Sequence, residues 1–365
     1  MKEVFKTFNS GRANFFIMAF IAAIFAGGVL KITAPVILPF TIALLLAFAM
    51  YPLVRLFNKF HIPQILSILL VVILIIAGLY GLGMVFFTSG RMIISHYPKY
   101  EDRLTEIYVW AARFLELSYD EGLSFFENLK AQLGIRTWVR NSTPSFINFF
   151  VQFIRSAFMM TIFLVFLLVE AGQIKEKIKK AFEDRSDRIN QMGHDLMDQI
   201  SRYLTAKFLI SLINGILFAV SFSLVGLEFA IVWGVLQFIL NFIPTLGSIV
   251  AGVAMSLFAL IQFWPQPGPI ILVIAIIIVV NIVLGNILDP KIIGERVGIS
   301  PLVILFSLVV WGWIWGFTGM IVAVPMTVII KIICENIPIL EPISIFIGSR
   351  KAVRAIKTED EKPET

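Results

Sequence analysis

Residues 65–87 form a run of 23 without one charged side chain, built mainly from Ile, Leu, Val and Phe. A helix needs ~20 such residues to cross a bilayer's hydrocarbon core of about 30 Å. The run is not alone: stretches of similar character cover 13–30, 35–53, 146–169, 204–225 and 269–288. Pro35 and Pro39 fall in the first turns of the second stretch, where proline costs least. Over the whole chain 58% of residues are hydrophobic, 15% are charged, and mean hydropathy is +0.90. Soluble domains carry about 25% charge and cannot hide so much apolar surface, so the excess faces lipid. The fold class is therefore an all-α polytopic membrane protein, and disordered, collagen-like or disulfide-scaffold chains are excluded. The first stretch reads as a span and not as a cleavable signal, because it is long, lacks a small-residue cleavage site and is followed directly by a second span.

Cys334 is the single cysteine, which excludes an intramolecular disulfide or a cysteine metal cage, and His61, His96 and His194 are too far apart in sequence for a histidine cluster. The formal charge is +6 with a pI of about 9.4. Where the basic residues fall explains that excess better than a nucleic-acid partner does. Lys2, Lys6 and Arg12, then Arg55 and Lys59, then seven basic residues in 171–203, then Arg350, Lys351, Arg354, Lys357 and Lys362 can all lie on one side. The positive-inside rule makes that side cytoplasmic, with both termini there, and leaves 91–145 outside.

Two segments read as extramembrane helices. In 97–133 apolar residues recur at helical spacing on either side of a turn at Ser118–Gly122, giving an amphipathic hairpin. In 173–203, Ile174, Ile178 and Phe182 form an apolar stripe beside lysines, suited to the headgroup plane or to a solvated connector. The chain thus divides into three spans (1–90), the extramembrane hairpin (91–145), span four (146–170), a basic cytoplasmic helix (171–203), two repeats (204–263 and 264–334) and a charged cytoplasmic tail (335–365).

The repeats emerge when the chain is slid along itself by 72 residues. Leu212, Asn214, Val225, Gly226, Leu236, Gly247, Ile249, Val250 and Ala251 then meet identical residues at 284, 286, 297, 298, 308, 319, 321, 322 and 323. Each copy reads as one full span followed by a long apolar segment broken in its middle, at Asn241–Gly247 in the first and at Trp315–Gly319 in the second. Pro244 lacks an amide hydrogen and disfavours a helical residue before it, and Gly247, Gly316 and Gly319 weaken a helix. The flanking arms (229–243 and 247–263; 302–316 and 319–333) would reach only about 22–26 Å at ~1.5 Å per residue. The expected architecture is about six full spans plus two re-entrant helical hairpins in an inverted repeat, as in many secondary transporters. Eight simple spans is the alternative.

These residues resemble the autoinducer-2 exporter family. The matching segments are Gly234 through Asn241-Phe242-Ile243-Pro244 to Gly247, Asp289-Pro290-Lys291-Ile292-Ile293-Gly294 followed by Val297-Gly298-Ile299-Ser300-Pro301, and Gly316, Gly319 and Ala323-Val324-Pro325. Order and spacing agree over about residues 10–340. Ser300 and Thr245 depart from the family pattern, which often has His and an aromatic residue there. The resemblance implies a multi-pass protein of the cytoplasmic (inner) membrane that moves small molecules or ions. It also implies a homo-oligomer, a pentamer being one such assembly. Some relatives resemble exporters of the autoinducer-2 signal, others sodium/proton antiporters.

No P-loop, HExxH, GxSxG or dinucleotide pattern is present, which argues against an enzyme and against ATP-driven pumping in this chain. Polar groups at lipid depth carry the candidate site instead, since a mid-bilayer charge costs about 2.5–3.5 kcal/mol on insertion scales. Asn214 and Asn286 occupy equivalent repeat positions and suit either a pseudo-symmetric substrate site or interhelical hydrogen bonding. Gln237 and Asn241, a helical turn apart, approach the Pro244 break, where freed carbonyls can coordinate a cation. Asp289 is the acidic candidate for proton or sodium coupling, or else a headgroup-level cap beside Pro290. Arg155, with Asn148 and Gln152, forms a polar stripe on span four that either attracts an anion or snorkels to headgroups. Glu170, Lys207 and Lys331 read as cytoplasmic-end anchors, and Trp311, Trp313 and Trp315 as an interface belt or hairpin packing. Gly294, Gly298, Pro301 and Pro325 join the break residues as structural positions.

The expected function is secondary-active export of a small polar organic molecule, autoinducer-2-like, without cofactor. The alternatives are a Na+(Li+)/H+ antiporter, with Na+ near Asn241 or Asp289, and a non-transporting membrane scaffold. The expected partners are the bilayer, a small polar substrate or cation, and further copies of the chain, but not nucleic acid.

Overall fold

The computed structural model describes residues 10–114, 136–171, 186–288, 298–337 and 340–348. The turn at 118–122, the second helix of the amphipathic hairpin, the stripe at 174–182, the far tail, Asp289, Pro290 and Gly294 lie outside the described residues. Among the described residues ten α-helices follow one another: α1 Ser10–Ile32, α2 Ala34–Lys59, α3 Gln64–Phe114, α4 Arg136–Ala171, α5 Ser186–Val225, α6 Ala230–Leu240, α7 Leu246–Phe263, α8 Pro267–Ile282, α9 Pro301–Asn336 and α10 Glu341–Ile347. A π-helical segment, Val283–Leu288, prolongs α8. Seven of the helices hold stretches long and apolar enough to cross a membrane, and the chain is an all-α polytopic membrane protein.

The exterior is apolar where a soluble protein would be polar. α3 buries Ser67, Ile68, Val71 and Val72 and turns Leu69, Leu70, Ile73 and Leu74 outward. Its narrow buried stripe marks the helix side packed on protein, and the exposed side is a lipid face. α2 sits among α3, α4, α5 and α9, and one core (Ala43, Val71, Leu164, Leu204 and Val328 among its members) joins these five helices. On that core, Thr205 donates to the Ala49 carbonyl, and Arg55, near the end of α2, pairs with Asp198 of α5 at 3.0 Å.

Three boundaries read from the sequence fall inside continuous helices. α3 runs through 90/91 for 51 residues, α4 through 145/146, and α5 through 203/204 for 40 residues. At ~1.5 Å per residue α3 is about 77 Å long, far more than the bilayer core. Charges such as Arg91 change the solvent a helix faces without ending it, and Gly90 and Pro98 in α3 and Pro144 in α4 stand near these boundaries within unbroken helix.

Both broken segments fold into antiparallel hairpins. In the first, α6 and α7 flank a tip in which Thr245 takes φ 61°, ψ −56°. Trp233 and Phe229 near the start of α6 both meet Phe258 near the end of α7, at ring distances of 5.3 and 5.7 Å. In the second, α9 turns at Trp315 (φ −122°, ψ 15°) and Gly316 (φ 64°, ψ −144°), a conformation open to glycine. A β-carbon on Gly319 would overlap the Trp311 carbonyl, eight residues back, as one on Gly247 would overlap that of Leu240. Such contacts exist only if the chain doubles back. The arms of each broken segment therefore turn back on each other at the tip. The outgoing arm of α9 (317–336) is nonetheless 20 residues, about 30 Å, longer than the sequence suggested, because Pro325 sits buried within it without ending it.

The two hairpins share a core to which each contributes repeat-equivalent residues, Leu236 and Ala251 from one and Leu308 and Ala323 from the other, both alanines being fully buried. Their surroundings differ. In α9, 61% of the most apolar stretch is buried, against 22% in α7. The tip of hairpin two also packs on α1, where Trp315 Nε1 donates to the Leu30 carbonyl at 3.0 Å and Lys31 lies 4.8 Å above the Trp313 ring. Trp311 and Trp315, 4.9 Å apart, thus pack at the hairpin tip, while Trp313 is exposed beside Lys31. Trp315→Phe, which keeps the ring and removes the donor, should lower stability by about 1 kcal/mol in thermal unfolding.

Candidate functional site

A seam of small residues makes the site. Gly215 and Ala219 on α5 face Gly234 on α6 so closely that a β-carbon on Gly234 would lie 2.5 Å from the Gly215 carbonyl and 2.7 Å from Ala219 Cβ. Backbones that approach this far bring polar side chains into direct contact, as is usual where membrane helices pack on Gly and Ala. Asn214 Nδ2 donates to Asn241 Oδ1 at 3.2 Å, and Asn241 Nδ2 donates to Ser211 Oγ at 2.9 Å. One turn back on α6, Gln237 Nε2 donates to Asn281 Oδ1 of α8 at 3.2 Å. Ser211, Asn214 and Gln237 are all 1% exposed or less.

Two acceptors in this cluster are left over. Asn214 Oδ1 and Gln237 Oε1 are buried and have no hydrogen-bond partner among the described residues. An orphaned buried amide oxygen costs roughly 1–3 kcal/mol, so a pair of them at one hairpin tip is an arrangement that a ligand's donors or a cation would complete. The five side chains are neutral and supply oxygen acceptors and amide donors, with no group that titrates near neutral pH.

Of the sequence candidates, the structure brings Asn214, Gln237 and Asn241 together and shapes the tip beside them with Pro244 and Gly247. Ser211 and Asn281 were missed. Each shows in the sequence only as a lone polar residue in an apolar run, and a cross-helix contact is what gives it meaning. Asn286 lies in the π-helical segment, a distortion that tends to mark functional positions. Gly298 and Pro301 introduce α9, with the proline in its first turn. Gly316 and Gly319 shape the second tip, and Pro325 is buried in the outgoing arm. Arg155 is exposed on α4 with Asn148 and Gln152, apart from the cluster.

Four of the five side chains come from the first repeat and Asn281 from the second, so the cluster is not symmetric. Positions equivalent to Gln237 and Asn241 hold Val309 and Trp313. The anchor reading of Lys207 and Lys331 does not hold: they are 5% and 2% exposed, and Lys331 pairs with Glu335 one turn along α9. Helix packing around the middle of α5 and the last turns of α9 covers stems that a hydropathy count places at the interface. Glu170 remains exposed.

Apolar helices long enough to cross a membrane, two hairpins among them and a neutral polar cluster at one tip define a polytopic membrane transporter. The chain belongs to the AI-2E transporter family, whose family model matches residues 14–339. It is 30% identical to a protein of Borreliella burgdorferi provisionally named a transport protein, over 90% of this chain and 89% of the relative. A similarly named protein of Haemophilus influenzae is also 30% identical, over 88% and 92%. The AI-2 transport protein TqsA of Escherichia coli K12 is 27% identical, over 84% and 88%.

Proposed function

We propose that the protein is a secondary-active transporter that exports a small polar organic molecule through the Ser211–Asn214–Gln237–Asn241–Asn281 cluster. The observation that carries this reading is the pair of orphaned amide oxygens at the tip of hairpin one. Neutral acceptors suit a neutral ligand rich in hydroxyl donors, and the name of the TqsA relative favours an autoinducer-2-like molecule. In this reading the hairpins re-enter the membrane from opposite faces, hairpin one from outside and hairpin two from the cytoplasm, with both termini cytoplasmic. Two features support that threading. Trp264, past hairpin one, meets Trp110 of the segment assigned outside, at 5.2 Å. Ser300, before hairpin two, donates its amide to the Ile347 carbonyl of the segment leading into the basic tail. Alternating access would move the lightly buried hairpin one against the deeply buried hairpin two.

The same orphaned oxygens favour a second reading, exchange of Na+ or Li+ for protons, since amide oxygens also replace a cation's hydration shell. Purified protein in proteoliposomes separates the two. Counterflow of a radiolabelled small polyol panel, insensitive to a Na+ gradient, supports export. 22Na+ flux driven by a pH gradient supports exchange. No solute movement under any imposed gradient would remove both readings.

A further inference from the structure

Glu228 lies in the short link between α5 and α6, at the open end of hairpin one. Its backbone amide donates to Gln262 Oε1 at 2.8 Å, and Gln262 Nε2 donates to the Gly226 carbonyl at 2.8 Å, so the end of α7 is stapled to the link. The Glu228 carboxylate is engaged from a distant part of the chain. Lys99 pairs with one oxygen, and the Tyr100 hydroxyl donates to the other. Both belong to the stretch of α3 that continues past its apolar span.

That stretch also packs along the outgoing arm. The Tyr100 ring lies 5.7 Å from Phe258 of α7, and Trp110, further along α3, packs on Trp264 just beyond α7 at 5.2 Å. The extension of a spanning helix thus crosses the open end of the hairpin whose tip holds the polar cluster. Burial and the Glu228 carboxylate both push the Tyr100 phenol well above its usual pKa, so it stays a proton donor. The Lys99 and Glu228 side chains keep 48% and 30% of their surface exposed. An ion pair in water is weak and exchanges readily, which is suited to a contact that opens and closes. At the other hairpin the chain covers the open end with its own following segment, through the Ser300–Ile347 bond and the Ile299–Gly348 bridge.

We propose that the extramembrane part of α3 is a strap that latches the open end of hairpin one through Glu228, and that hairpin one moves only when the latch releases. The role in transport rests on the moving-hairpin reading above, whereas the mechanical part can be measured without a substrate. Hydrogen exchange in nanodiscs is the test. Glu228→Gln should speed exchange in 230–240 and 246–263 by about fivefold, the equivalent of one exposed ion pair, and leave 301–336 unchanged. The charge swap Lys99→Glu with Glu228→Lys should restore the parental rate, which a merely structural defect would not allow. In a Cys334→Ser background, Trp110→Cys and Trp264→Cys joined by a cleavable bifunctional thiol reagent should slow the same exchange. Where the parent shows flux, joining should stop it and cleavage should restore it. Parental exchange rates in both Glu228→Gln and the joined protein would overturn the strap; if Glu228→Gln fails to fold, the joined protein alone decides. A parent without flux would end the transport reading, while the exchange rates still judge the latch.

Discussion

Gly247→Ala should destabilise the protein by about 3 kcal/mol, the upper range for forcing atoms into packed space, and Gly319→Ala should cost as much. At each position an added β-carbon would overlap the main-chain carbonyl of the incoming arm, Leu240 in one hairpin and Trp311 in the other. A flexible side chain could swing aside, but a carbonyl within a helical arm cannot, so the two arms must splay. Splaying hairpin one would also pull Ala251 and Leu240 from the core it shares with hairpin two. Gly81→Ala is the control. A β-carbon there meets nothing within 4 Å, and alanine favours a helix interior over glycine by roughly 0.5–1 kcal/mol. Thermal unfolding followed by size-exclusion recovery in detergent measures all three. Equal stabilities for Gly247→Ala and Gly81→Ala would mean that the hairpin tip is not packed as described.

The second large effect concerns the polar cluster, where stability and transport should move apart. In the double variant Gln237→Leu with Asn281→Leu, both partners of one hydrogen bond become apolar and the orphaned Gln237 oxygen disappears. Removing a satisfied pair is close to neutral and removing an orphan is favourable, so stability should hold or rise by about 1 kcal/mol. Transport should fall about tenfold or more, the equivalent of one lost ligand hydrogen bond. If the amides serve only to hold helices together, the signs differ: stability falls, and flux falls only in proportion to the folded protein. Counterflow and unfolding measured on the same preparation decide between them.

Much of the architecture is legible along the chain because lipid imposes one rule on every span. A helix facing hydrocarbon must be apolar over ~20 residues, and that requirement does not depend on its neighbours. The breaks at Pro244 and Gly316 are equally local, since a missing amide hydrogen or a positive φ is a property of one residue. Gly247 and Gly319, paired by the 72-residue offset, each face a carbonyl of the incoming arm, that of Leu240 and that of Trp311. Helix ends were less legible. Water and lipid both sustain the helix of α3, so the change from apolar to charged residues near Arg91 marks a change of solvent while the helix continues.

The site was legible in part. Asn214, Gln237 and Asn241 stand out as amides at lipid depth, but Ser211 and Asn281 become members only through contacts between helices. Lys207 and Lys331 show the same limit from the other side: a lysine near a span's end looks like an anchor until neighbouring helices are seen to cover it. Apolar spans and hairpin breaks were determined by the sequence alone, because each follows from how one segment meets solvent or closes its own hydrogen bonds. The one-sided polar cluster, its two orphaned oxygens and the strap from Lys99, Tyr100 and Trp110 onto hairpin one were decided only in the tertiary structure. They depend on which helices come within a few ångströms, a quantity that small-residue seams such as Gly215–Gly234 set and that no single segment encodes.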